Sequence, residues 1–179
     1  PLVDNAFIKA AIRAQEYAGF DKALIAVNSA SPDAFAIGAY AAGISDSLGL
    51  LIAQRPGFTA PTLAARQLST LDQLSGGRVS VNVITGGDGG DLQKDGDFLA
   101  HDERYERTDE YLTVAKQVWT SDGPFDHQGR HYRVEGNHTA VRPVQKPHIP
   151  IYFSGASEAA VRVAARHADV YMMWGEPLA

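Results

Sequence analysis

The sequence predicts an α/β fold that forms part of a (β/α)8 TIM barrel, with about five parallel strands and their helices. Short segments that are apolar throughout alternate with longer segments in which apolar residues recur at the helical period. Strands that are apolar on both faces are typical of a parallel sheet covered by helices. Polar turns follow the ends of these strands, and barrel enzymes hold their ligands at that edge.

The apolar segments predict five strands, which cover residues 23–27, 48–54, 79–85, 149–153 and 169–173. The periodic segments predict five helices, which cover residues 4–18, 32–45, 61–74, 104–119 and 157–167. Asp4 is expected to cap the first helix, and Pro61 is expected to open the third. Residues 121–148 are irregular, apart from a predicted hairpin at 125–132 with a Gln-Gly turn.

The predicted elements do not complete a barrel. The first helix has no strand before it, and the last strand is followed only by a short loop. An uncovered parallel edge strand invites unwanted pairing, and complete barrels contain about 250 residues. We therefore expect residues 1–179 to form a single partial barrel domain, with the first strand and the C-terminal units missing.

Charge and composition argue against several classes of function. The chain has 16 basic and 21 acidic residues, and it shows no basic stripe of the kind that binds nucleic acid. No apolar run approaches the roughly 20 residues that a membrane span needs. The chain has no cysteine, which excludes disulfides and fits a cytoplasmic location. The six histidines show no metal-ligand spacing, so no metal site is predicted.

A loop rich in glycine and aspartate follows the third predicted strand. It spans residues 87–100, and loops of this length in compact domains are more often functional than not. Two interpretations stay open: a lid that closes over a binding site, or a mobile surface loop. The acidic residues between Asp88 and Asp109 are interpreted as a solvated surface rather than a catalytic carboxylate pair.

Three groups of residues could bind a ligand at the strand ends. The Ser-Gly-Ala-Ser turn at 154–157 precedes a helix, where hydroxyls and the helix N-terminus favour an anion such as phosphate. An ordinary helix cap is the alternative for this turn. His101 could bind a polar ligand together with Tyr105, or it could be an exposed residue at a helix start. Trp174 could lie against a flat ring or belong to the core.

Four segments of the chain, in this order, look familiar: AARQLSTLDQLSGGRVSVNVITG, FLAHDERYERTDEY, PIYFSGASEAA and MMWGEP. Together they resemble the bacterial-luciferase-like flavin monooxygenases, and they are most similar to the two-component alkanesulfonate monooxygenases. The resemblance implies a TIM barrel of the luciferase-like type and reduced FMN (FMNH2) delivered by a separate NAD(P)H:flavin reductase. It also implies that O2 and a small organosulfur substrate give an aldehyde and sulfite, and that the protein is a homo-oligomer.

The resemblance assigns roles to particular residues. Those expected to bind the cofactor match the family's phosphate-binding turn, the tyrosine that helps to hold the phosphate, and polar positions that line the flavin. They are Ser154, Gly155, Ser157, Tyr105, Thr85 and His101. Trp174 matches a tryptophan beside the family's active site. Ser31 stands where the sulfonate enzymes have cysteine, and its hydroxyl could still form a hydrogen bond with an oxygen intermediate.

Two alternatives accompany the organosulfonate monooxygenase. The first keeps the fold and changes the chemistry, giving a deazaflavin-dependent oxidoreductase or another luciferase-like oxygenase. The second is a non-catalytic flavin-binding relative. Cofactor titration distinguishes the first alternative from the organosulfonate monooxygenase, because a deazaflavin enzyme should not prefer FMN. Sulfite release separates the second, because a binding protein should release none.

Overall fold

A computed structural model describes residues 3–86 and 89–173 of the chain. The strands in chain order are β1 Lys22–Ile25, β2 Gly49–Gln54, β3 Val79–Val83, β4 Phe125–Gln128, β5 Arg133–Asn137, β6 Ile151–Ser154 and β7 Val170–Met172. The helices are α1 Asn5–Tyr17, α2 Ala34–Ile44, α3 Pro61–Leu74, α4 Gly89–Lys94, α5 His101–Thr120 and α6 Glu158–His167.

The predicted five-stranded parallel sheet is confirmed. Its strands lie in the order β1-β2-β3-β6-β7, and every neighbouring pair is parallel. In β2 and β3 every residue is buried, as expected for central strands with both faces covered. The sheet is open over the described residues, with β1 and β7 at its edges. No described helix has the length and apolar character that would let it cross a lipid bilayer.

The helices begin where their capping residues predict. The carboxylate of Asp4 accepts a hydrogen bond from the Phe7 N–H at 3.1 Å, and Pro61 is the first residue of α3. Ser157 caps α6 in the same way, accepting from the Ala160 N–H at 3.2 Å. These side chains satisfy donors that the helix itself leaves free. The apolar faces of the helices pack on the sheet and form one core.

The segment between β3 and α5 differs from the sequence prediction. Residues 89–94 form the short helix α4 instead of a continuous loop, and α5 begins at His101 rather than at Arg104. The side chain of Leu92 is buried beside Gly86, where a Cβ atom would lie 2.4 Å from it. This apolar anchor holds the segment against the end of β3. Two acidic residues in the first turn of α5 favour its earlier start, because they complement the helix dipole.

The predicted hairpin exists but extends further than expected. Its antiparallel strands β4 and β5 are joined by residues 129–132, so the second strand continues to Asn137. The carboxylate of Glu110 on α5 accepts hydrogen bonds from the backbone N–H groups of His131 at 2.9 Å and Tyr132 at 2.7 Å. Burial opposes ionisation of Glu110, but these bonds outweigh it and lower its pKa. The hairpin is therefore attached to the outer surface of α5.

Candidate functional site

The carboxyl ends of the parallel strands meet at one edge of the sheet. Polar residues follow four of these ends in the described chain: Ser29 after β1, Arg55 after β2, Thr85 after β3 and Ser157 after β6. Ligands of open and barrel α/β folds bind at this edge. The candidate site is therefore sought here.

The turn between β6 and α6 is closely packed against α5. Gly155 has a φ of +143°, a conformation that side chains with a Cβ rarely adopt. A Cβ atom at this position would lie 2.8 Å from the Ala160 Cβ and 3.0 Å from the Tyr105 hydroxyl oxygen. Only glycine fits without displacing its neighbours. The absent side chain lets Tyr105 and Ala160 pack directly against the backbone of the turn.

Tyr105 makes the contact between α5 and this turn. Its ring is buried beside Phe153, with the two ring centroids 6.4 Å apart, and its hydroxyl lies within reach of the Ser157 side chain. Burial raises the pKa of Tyr105, and it outweighs the opposite effect of Ser157. The hydroxyl therefore stays protonated at neutral pH and can donate a hydrogen bond.

The backbone just before α6 adds a further donor. The Ala156 N–H has no acceptor among the described residues, and it lies just before the helix N-terminus, which favours negative charge. On the other side of the turn, the Tyr171 hydroxyl of β7 donates a hydrogen bond to the Gly155 carbonyl. The sequence alone did not indicate this contact. Together these groups form a surface that suits an anion.

His101 lies beside the same group. Its ring packs against the ring of Tyr105, with centroids 4.9 Å apart, and its Nδ1 lies 2.6 Å from a carboxylate oxygen of Asp102. The side chain is 48% exposed, so it faces outward next to the buried tyrosine. The structure thus brings together His101, Tyr105 and the turn at 154–157.

Thr85 and Ser31 are placed differently. The buried Thr85 hydroxyl donates to the Thr108 hydroxyl at 3.1 Å, which donates in turn to the Arg104 carbonyl at 2.8 Å. The Ser31 hydroxyl accepts from the Asn28 N–H at 2.9 Å and donates to the Asn28 carbonyl at 3.0 Å. Both hydroxyls donate within the fold, and neither forms a hydrogen bond with the described turn at 154–157. Trp174 lies outside the described residues.

An ionic network, which the sequence did not reveal, joins three strand ends. The Asp91 carboxylate of α4 pairs with Arg55 after β2 and accepts hydrogen bonds from the backbone N–H and hydroxyl of Ser29 after β1. The Ser29 hydroxyl, followed by Arg55, lowers the pKa of Asp91 to about 2. Asp97 is buried and pairs with Arg107. The interpretation of this acidic segment as a solvated surface is therefore wrong for Asp91 and Asp97.

Comparison with known proteins identifies the family to which the chain belongs. The model of the family described as luciferase-like monooxygenase matches residues 4–179. The structure of a riboflavin lyase with modified FMN and riboflavin has a TM-score of 0.85 and 20% identity, covering 96% of this chain and 48% of its own. DmoA from Hyphomicrobium sulfonivorans has a TM-score of 0.79 and 27% identity, covering 94% and 45%.

Other similar structures use a different cofactor. A coenzyme F420 dependent tetrahydromethanopterin reductase from Methanopyrus kandleri has a TM-score of 0.82 and 22% identity, covering 96% of this chain and 52% of its own. The chain spans about half the length of these solved structures. Its parallel sheet with covering helices is the fold that they share with it. The match of the family model to nearly the whole sequence shows that the chain belongs to the luciferase-like monooxygenase family.

Proposed function

We propose that the protein is a flavin-dependent monooxygenase that uses reduced FMN and O2 to cleave the C–S bond of a small organosulfonate. The observation that supports this most directly is the contact of Tyr105 with the turn at 154–157. A protonated tyrosine hydroxyl lies beside the glycine of this turn, two serines belong to the same turn, and the N-terminus of α6 follows it. The phosphate of FMN has the size and charge for this turn.

The residues fit the phosphate of FMN. Donors are available from Tyr105, Ser154, Ser157 and the Ala156 N–H, while the one carboxylate in the first turn of α6, that of Glu158, pairs with Arg162 at 2.5 Å. A Cβ atom at residue 155 would fill the space next to the tyrosine hydroxyl. We propose that these residues hold the phosphate. The adjacent and partly exposed His101 would then contact the flavin.

The bound reduced flavin supplies two electrons and activates O2. In the overall reaction one oxygen atom enters the aldehyde, the other leaves as water, and the sulfur leaves as sulfite when the C–S bond breaks. The protein's contribution is to bind and orient. Asp102 engages Nδ1 of His101 and leaves the other ring nitrogen free to contact a ligand. We propose Ser31 and Trp174 for the substrate side of the site.

Sulfite release tests this function. The intact protein is incubated with a flavin reductase, NADH, FMN and a series of linear alkanesulfonates, and sulfite and aldehyde are both measured. We expect the two products in equal amounts, and no product when the reductase or the sulfonate is omitted. Consumption of reduced FMN without sulfite from any sulfonate would contradict the proposal.

One observation favours a second candidate. The solved structures that match this fold include coenzyme F420 dependent enzymes, so a deazaflavin-dependent oxidoreductase is the alternative. Equilibrium titration with FMN and with F420 separates the two candidates, because the monooxygenase should prefer FMN. Tight FMN binding without product formation would instead indicate a non-catalytic flavin-binding protein.

A further inference from the structure

The phosphate turn is held from two sides. Tyr105 of α5 approaches Gly155 from one side, and the Tyr171 hydroxyl of β7 donates a hydrogen bond to the Gly155 carbonyl. Tyr171 pairs in register with Phe153 of β6, so the parallel ladder fixes its backbone one residue short of the end of its strand. No family motif and no predicted role pointed to this residue.

The hydrogen bond fixes the orientation of one peptide unit. The carbonyl of Gly155 and the N–H of Ala156 belong to the same planar trans peptide, so they point in opposite directions. When Tyr171 holds the carbonyl, the N–H is directed away from Tyr171. That N–H has no acceptor among the described residues. A glycine at 155 would otherwise let this peptide rotate, because glycine has wide access to backbone conformations.

We propose that Tyr171 is a positioning residue for the cofactor phosphate. It orients the peptide between Gly155 and Ala156 so that the Ala156 N–H donates to the phosphate. This inference rests on the proposed function, because it concerns the same turn. Tyr171 itself does not contact the phosphate. Its effect is confined to ligands that carry the phosphate, since the peptide that it orients lies in the phosphate turn.

The substitution Tyr171→Phe removes only the donor. The ring is 42% exposed, and phenylalanine retains it together with its packing on β6. Tyr17→Phe is the matched control, because it removes the same hydroxyl from a side chain that is 95% exposed on α1. Thermal unfolding checks that both variants are folded before ligand binding is compared.

The experiment measures the dissociation constants of FMN and of riboflavin, which differ only by the phosphate, for the intact protein and both variants. We expect FMN to bind much more tightly than riboflavin to the unaltered protein. Tyr171→Phe should lower this preference about five- to tenfold, on the scale of one ordinary hydrogen bond. Its riboflavin affinity should stay unchanged, and Tyr17→Phe should match the unaltered protein.

The outcomes separate the inference from the function on which it rests. Equal affinities for FMN and riboflavin in the unaltered protein would contradict the phosphate site, and with it this inference. A strong preference for FMN that Tyr171→Phe leaves intact would overturn the inference alone, and so would an equal loss of both affinities. If Tyr171→Phe does not fold, 3-fluorotyrosine at 171 keeps the ring and makes the hydroxyl a stronger donor. It should then raise the preference for FMN, and an unchanged preference would overturn the inference.

Discussion

The Tyr105 hydroxyl and Gly155 lie so close together that a Cβ atom at residue 155 would be 3.0 Å from the hydroxyl oxygen. Tyr105 comes from α5 and Gly155 follows β6, so this contact joins two elements that lie about 50 residues apart in the sequence. The same contact sets the shape of the turn that leads into α6. Changes on either side of it should therefore affect both folding and cofactor binding.

Gly155→Ala should destabilise the protein by about 1–3 kcal/mol, because a side chain would have to adopt an unfavourable φ and displace its neighbours. The Cβ would lie 2.8 Å from that of Ala160. FMN affinity should fall at the same time. Urea unfolding and FMN titration measure the two effects. Gly43→Ala is the control, since a Cβ there meets no atom within 4 Å in α2, and its stability should be equal or higher. Equal behaviour of the two variants would contradict the account.

Two substitutions at Ser157 should separate its capping role from its proposed contact with phosphate. Ser157→Ala removes the acceptor of the Ala160 N–H and should cost about 1 kcal/mol of stability. Ser157→Asp retains a capping acceptor, so its stability should stay close to that of the unaltered protein. Its added negative charge should weaken FMN binding more than tenfold and leave riboflavin binding unchanged. An aspartate variant that binds FMN normally would place the phosphate elsewhere.

Local patterns predicted much of this fold because the determining interactions are local. The apolar runs gave the five parallel strands, and Asp4, Pro61 and Ser157 marked helix starts that the structure confirms. The helix at 89–94 was missed because glycine at its first two positions is typical of loops. Its stability comes instead from the distant partner of Asp91, Arg55, which lies 36 residues away.

The candidate site was predictable only in part. The serines and glycine of the turn at 154–157 are adjacent in the sequence, so their chemistry could be read directly. The contact of Tyr171 with Gly155 depends on the register of β6 against β7, which no single segment specifies. The hydrogen bond between Thr85 and Thr108 was unpredictable for a similar reason, since it requires α5 to pack over the end of β3.

The Asp91 network should make stability depend on pH in the acidic range. The folded protein holds the pKa of Asp91 at about 2, below its ordinary value of 3.8. The stabilising contribution is therefore complete above about pH 4 and is lost as the pH falls toward 2. Asp91→Asn should lower the urea midpoint at pH 6, and its difference from the unaltered protein should shrink below pH 4. Asp122→Asn is the control, because no described residue pairs with that carboxylate. A difference that does not change with pH would contradict this assignment.

The buried Asp72 should be important for stability and not for the cofactor. Its carboxylate accepts hydrogen bonds from the backbone N–H groups of Val144 at 2.7 Å and Gln145 at 3.1 Å, and from the Gln145 side chain at 2.7 Å. Asp72→Ala would leave these donors without a partner and should cost about 3 kcal/mol. Chemical denaturation measures the loss, with the exposed Asp46→Ala as the control. A loss below about 1 kcal/mol would show that the donors find other partners.

A crystal structure of the intact protein with FMN tests the central claim most directly. We expect the phosphate to lie at the turn between β6 and α6, with its oxygens about 3 Å from the Tyr105 hydroxyl, the Ser157 hydroxyl and the Ala156 N–H. The flavin ring should then extend from the turn toward His101. A phosphate bound elsewhere, with Tyr105 and Ser157 contacting neither the phosphate nor the ring, would contradict the account.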